Sequence, residues 1–250
     1  MLRLRQICLV GENLAPAVND LTDVLGLATC FHDPAVGAYG LENALLPVGS
    51  NFLEVVAPIA ENTAGGRYLN RRGGDGGYMV ILQCDNVEAR RARMGELDVR
   101  IANALNYSDF TGLQLHPRDT GGCMLETDQM DGDQSSDGPW HPAGGSWQDA
   151  VRLERTTAMV GAELQSADPS ALAARWAHIL DKDVSSDHEI VLDNATLRFV
   201  EATDGRGEGL GGVDLKVADP AAILAAATTK GMAVDGNTVT VCGTRFRLET

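Results

Sequence analysis

Glu54 and Glu126 stand 72 residues apart, each after an apolar pair near the end of a strand-like run, Phe52-Leu53-Glu54 and Met124-Leu125-Glu126. Side chains alternate along a strand, so Phe52, Glu54 and Val56 share one face while Leu53 and Val55 share the other. Both faces are apolar, which predicts a sheet covered on both sides. A charge left unpaired there costs several kcal/mol, so a metal, a cation, a proton or water in a cleft must satisfy it. The same parity applies to Met124 and Glu126, and to Leu197, Phe199 and Glu201. It fails for Glu249, where Arg245, Arg247 and Glu249 oppose Phe246 and Leu248 as in a half-exposed final strand. Taken singly, Glu54 and Glu126 are as well explained by a wet sheet margin or by pairing with Arg67, Arg71, Arg72 or Arg118. Two repeat-related carboxylates converging on a pseudo-twofold axis are different, because like charges brought close shift each other's pKa or demand a cation.

The elements that must position them recur. Four segments, beginning near Leu4, Gly77, Val160 and Gly212, each read as strand, helix start, amphipathic helix and returning strands. Asn13 and Asn86 precede helices over Leu14 to Leu25 and Val87 to Leu97, and Asp168-Pro169 and Asp219-Pro220 place an N-cap before a first-turn proline. Leu14, Val18, Leu21 and Leu25 form one apolar stripe, and Leu172, Trp176, Ile179 and Leu180 another. A repeated unit that cannot close alone must pair with its neighbour. The expected class is therefore α+β, with tandem βαβββ modules making two paired-module domains whose curved mixed sheets form a cleft. The first covers residues 1–130 and the second, shorter and more diverged, residues 150–250. Residues 131–149 read as a linker held down by Trp140 and Trp147, and the acidic residues Asp128, Asp131, Asp133 and Asp137 as solvated surface.

Bulk properties narrow the function. The 250 residues are 44% hydrophobic, enough to bury two domain cores. Lys and Arg total 20 against 35 Asp and Glu, a net charge of −15 that argues against nucleic acid and anionic membranes as partners. Five cysteines without a CxxC argue against disulfide and zinc frameworks; Cys8, Cys84, Cys123 and Cys242 sit in apolar strand-like runs. Ile7-Cys8-Leu9-Val10 is too short for a signal h-region, and no stretch could span a bilayer, so a cytoplasmic location is expected.

Doubled at this spacing, strand, helix and strands ending in Glu resemble the vicinal-oxygen-chelate superfamily, which includes glyoxalase I, methylmalonyl-CoA epimerase, extradiol dioxygenases and bleomycin-resistance proteins. The resemblance is best over residues 1–130. The run from Leu115 through His116-Pro117-Arg118 and Gly121-Gly122 to Glu126 is similar to an epimerase segment that leads into a metal-binding Glu. In that superfamily a metal is held by one residue from the first strand and one from the last strand of each unit. By position the resemblance implies Gln6, Glu54, Tyr78 and Glu126, with a spacing of 48 residues in each unit. Gln6, Glu54 and Glu126 offer oxygen to one divalent ion, whereas Tyr78 stands where His is usual, so a metal-free site is equally open. Gly161 and Gly212 fill the corresponding slots of the second half and cannot ligate. No slot holds His, which argues against dioxygenase chemistry.

Among the five histidines, His178 and His188 read as surface residues, and His116 either caps a turn or supplies a proton donor at the cleft mouth, with His32 in a similar position. The run Gly65 to Gly77, with Arg67, Arg71, Arg72 and Asp75, either cradles an anion or only crosses between units. Two functions follow. The first is a lyase, isomerase or epimerase acting through an enolate on a small oxygen-rich substrate, with Glu54 and Glu126 moving the proton and Gln6, Tyr78 and His116 in support. The second is a protein that binds or sequesters a small molecule on the same cup with a degenerate metal site. A monomer or a homodimer is expected.

Overall fold

The computed structural model describes residues 1–250. β1 (Leu2–Val10) leads through α1 (Leu14–Leu25) to β2 (Leu41–Val48) and β3 (Asn51–Pro58), and α2 (Ala64–Arg72) then crosses to the second unit. That unit runs β4 (Gly76–Cys84), α3 (Val87–Glu96), β5 (Ile101–Asn106), β6 (Phe110–Leu115), the short α4 (Pro117–Thr120) and β7 (Met124–Met130). Together they form one seven-stranded sheet in the order β2-β3-β1-β4-β7-β6-β5. β1 and β4 lie antiparallel at its centre, and each is flanked by the parallel last strand of its own unit, β3 or β7. The internal symmetry axis therefore passes between β1 and β4.

The second half repeats the plan with β8 (Thr156–Ser166), α5 (Pro169–Leu180), β9 (Glu189–Val191), β10 (Thr196–Glu201), β11 (Gly209–Val217), α6 (Pro220–Thr229), β12 (Val234–Asp235), β13 (Thr238–Val241) and β14 (Thr244–Glu249). Its sheet runs β12-β13-β14-β11-β8-β10-β9. Units two and four keep all three returning strands, whereas units one and three carry one fewer. In unit one the missing strand is reduced to a single bridge, Phe31 to Leu45, followed by a 3-10 turn from Pro34 to Tyr39 that the Asp33 side chain caps. Pro34 lacks a ladder donor there.

The helix starts follow local chemistry. Asn86, Asp168 and Asp219 each accept the amide of the third residue beyond, and Asn13 holds the same position before α1 without a side-chain bond. One continuous apolar core joins the helix-bearing faces of both sheets: Leu4, Leu9, Leu53, Val80 and Leu125 from the first, Leu164, Val213 and Phe246 from the second, with α1 and α5 between. The concave face of the first sheet has its own cluster, including Phe52, Val56, Tyr68, Ile81 and Phe110. The halves are also riveted where β4 meets β11. Arg72 donates to the carbonyls of Arg206, Gly207 and Glu208, and Arg206 returns bonds to the carbonyls of Arg72, Gly74 and Asp75.

Three expectations meet the structure here. Residues 65–77 do not form an anion cradle: most belong to α2, whose Arg72 is buried in the joint between halves and whose Arg71 lies over the Tyr68 ring at 4.9 Å. The segment after β7 is a loop, as its composition implies, yet it folds back over the concave face and buries Trp140, Ala143 and Trp147 in that cluster. The reason is Arg5, a bulge residue on β1 that is 1% exposed. Its guanidinium donates to the carbonyls of Ser50, Ser136 and Gly138 and lies against the rings of Phe52, Trp140 and Trp147. Glu201, finally, lies exposed at the end of β10, while Leu197 and Phe199 face the shared core. No helix is long and apolar enough to cross a membrane.

Candidate functional site

The concave face of the first sheet forms a half-open cavity of about 190 Å³. Gln6 and Cys8 reach it from β1, Glu54 and Val56 from β3, Tyr78, Met79 and Ile81 from β4, and Met124, Glu126 and Asp128 from β7. Glu54 and Glu126 thus share one hollow, one from each unit.

Glu54 is held as an acceptor. Gln6 Nε2 donates to one oxygen at 2.9 Å and Asn43 Nδ2 to the other at 2.7 Å. Burial pushes its carboxyl above the ordinary range, and the bonds from Asn43, Cys8 and Gln6 pull it partly back. Cys8, fully buried beside it, is itself raised well above the normal thiol range by burial and by the Glu54 charge. Across the cavity, Gln114 Nε2 donates to Glu126 at 3.0 Å, and Asn103 Nδ2 donates in turn to the Gln114 oxygen. Burial raises Glu126 too, and the charge of Glu54 adds to the rise. Asp128 lies 1% exposed next to it and is raised well above the carboxylate range by burial and by Glu126.

Tyr78 enters the cavity by a different route from the one its spacing implies. Cys8 pairs with Met79 and Leu9 with Gly77, which leaves Tyr78 as the extra residue of a β-bulge. Its ring meets Tyr68 edge-on at 4.9 Å, and burial raises its phenol. The residue that truly matches Gln6 is Met79: Gln6 pairs with Phe52, two before Glu54, and Met79 pairs with Met124, two before Glu126.

The ligand set that the resemblance implies does not suit a metal. Gln6 gives its amide hydrogen to Glu54 and receives Trp140 Nε1 on its oxygen at 2.7 Å. Both Glu54 oxygens accept amides. The matching β4 side chain is an apolar thioether, and no three His, Cys, Asp or Glu groups converge anywhere in the chain.

His116 takes the first of its two expected roles, the cap. It lies outside the cavity, where its Nδ1 accepts the Arg118 amide at 3.2 Å and caps α4. His32 is exposed, with Nδ1 against the Asn43 carbonyl. The histidine that does reach the cavity is His141, from the segment read as a linker. It stacks on Tyr107 at 4.4 Å and Phe110 at 5.5 Å and meets Asp109 at 2.9 Å. Sequence reading also passed over Asn43, Gln114 and Asp128. Asp128 had a signal, since it shares the strand face of Glu126 two residues on, but the acidic residues after it disguised it as surface.

The second sheet carries a more open and more polar depression, lined by Arg198, Asp214, Arg247 and Glu249. Its concave face is crossed by ion pairs: Arg198 with Asp214 and Glu163, Arg245 with Glu163, and Arg247 with Asp214 and Glu249.

No family model matches the sequence, and no curated protein does. Among solved structures, a hypothetical protein from Staphylococcus aureus is similar at 14% identity, with 100% of this chain and 99% of that one aligned and a TM-score of 0.68. A mutant of 4-hydroxymandelate synthase from Streptomyces coelicolor aligns over 92% of this chain and 75% of that one, at 14% identity and a TM-score of 0.67. Methylmalonyl-CoA epimerase from Mycobacterium tuberculosis covers 52% of this chain and 89% of its own at 21% identity, with a TM-score of 0.46.

Proposed function

We propose that this chain, which has the vicinal-oxygen-chelate fold, binds a small molecule in its first concave sheet and holds it without a metal. The observation that carries this reading is the cavity itself, open at one side and walled by Leu41, Val56, Met79, Ile81, Phe110 and Met124, with a few convergent carboxyls and amides. That is the make-up of a recognition pocket.

Enolate chemistry has one observation in its favour. Glu54 and Glu126 face a common space with carboxyls raised by burial, as a proton-exchanging pair requires. Against it stands the charge of the lining. An enolate needs positive or donor groups where its oxygen develops charge. No lining residue is Lys or Arg, while Asp33, Glu54, Glu126 and Asp128 are all acids. The Gln6, Asn43 and Gln114 amides each give an N–H to a carboxylate, so the phenols of Tyr78 and Tyr107 are the neutral donors left among these acids. Binding is therefore the better account.

Methyl NMR with benzyl alcohol as a neutral probe tests it. Saturable shifts confined to Val56, Ile81, Leu41, Met79 and Met124 support the reading. Shifts scattered over the surface, or none that saturate, would refute it.

A further inference from the structure

One end of the cavity holds a carboxyl that no donor serves. Both Asp128 oxygens are buried without an amide, hydroxyl or cationic partner, and the residue lines the cavity. Its neighbour is Glu126. The two crowd over Gly112, where a Cβ would lie 2.6 Å from Asp128 Oδ1 and 3.1 Å from Glu126 Oε1. The guanidiniums on β1 are committed elsewhere: Arg3 to Gln83 and the carbonyls of Gln134 and Ser135, and Arg5 to the carbonyls of the overlying loop. Tyr107, Phe110 and His141 form an aromatic wall of the same cavity. Acidic oxygens without donors beside ring faces are the two features that attract organic cations.

We propose that Asp128 and Glu126 together recognise the protonated nitrogen of an organic cation, a primary ammonium or an amidinium, whose apolar body lies along Phe110, Met124 and Val56. The proposal rests on the first module being a ligand cup and adds the charge of what the cup takes. Burial raises both carboxyls, and the Glu126 charge raises Asp128 further. The titratable groups facing the pair are Glu54 from β3, Cys8 from β1, Cys84 at the end of β4, and Asp33 with His141 at the rim, where Asp109 meets His141 at 2.9 Å. A bound ammonium supplies the N–H donors that the Asp128 oxygens lack.

The test is calorimetry at pH 7 on the full chain, in phosphate, with benzylamine, benzyl alcohol and benzoate. The amine should bind about tenfold or more tightly than the alcohol, and benzoate should not bind. In Asp128→Asn the preference for the amine should vanish while the alcohol still binds. Equal affinity for amine and alcohol, or tighter binding of benzoate, would overturn the cation proposal and leave the cup reading standing. Failure of all three probes to bind would overturn both.

Discussion

Asp128→Asn should make the folded chain more stable, by an amount that grows with pH. The wild-type carboxyl is 1% exposed, has no donor, and lies against Glu126. Its folded pKa is raised, so the folded chain keeps a proton that the unfolded chain has already released. The unfolding free energy of wild type therefore falls as pH rises from the unfolded value of 3.8 toward the raised folded value, and stays low above it. Each pH unit in that window costs about 1.4 kcal/mol. Asn removes the Asp128 contribution to that dependence and offers Glu126 a neutral N–H donor. Between pH 5.5 and pH 8 its advantage over wild type should grow by about 1–3 kcal/mol, or roughly 2–4 °C in Tm per kcal/mol for a chain of this size. Surface carboxyls that are stabilised in the folded state, such as Asp119 beside Arg100, give the opposite trend but cancel in the comparison of the two proteins. Urea unfolding at the two pH values measures the difference. A variant no more stable than wild type at pH 8, or an advantage that does not grow with pH, would refute the reasoning.

Trp140→Ala removes a fully buried ring that meets Phe110 edge-on and bonds Gln6, and should cost about 3–5 kcal/mol in urea unfolding; a loss under about 1 kcal/mol would mean the overlying loop is not part of the core. Gly77→Ala would place a Cβ 2.5 Å from the Leu210 carbonyl oxygen, where the halves meet, and should cost about 1–3 kcal/mol by thermal unfolding, whereas an unchanged Tm would deny that contact. His116→Ala should cost about 1 kcal/mol as a lost helix cap and leave benzylamine affinity unchanged; a loss of affinity would return His116 to the site.

How much of this was legible follows from which residues act through their neighbours in sequence. Strand parity placed Glu54 and Glu126 on the inner face, and the capping residues Asn86, Asp168 and Asp219 placed the helices, because both effects act over two to four residues. Tyr78 was misassigned because a bulge adds one residue to β4, and a constant spacing of 48 cannot see an inserted residue. Asp128 was missed because the acidic residues after it disguised its strand face, and His141 because Arg5 folds the loop after β7 back over the cup, a contact spanning about 130 residues that composition does not reveal. The Gly65–Gly77 run looked like an anion loop because its arginines are visible in sequence while the carbonyls that Arg72 serves lie in the other half of the chain.

Everything at the site depends on Glu54 and Glu126 lining one buried space. Carbon-13 NMR of the glutamate side-chain carboxyls, titrated in wild type and in Glu54→Gln, tests that directly. Glu126 should titrate above the ordinary glutamate range of about 4.3 and move down when the Glu54 charge is removed. An ordinary value in wild type, or one that ignores the substitution, would contradict it.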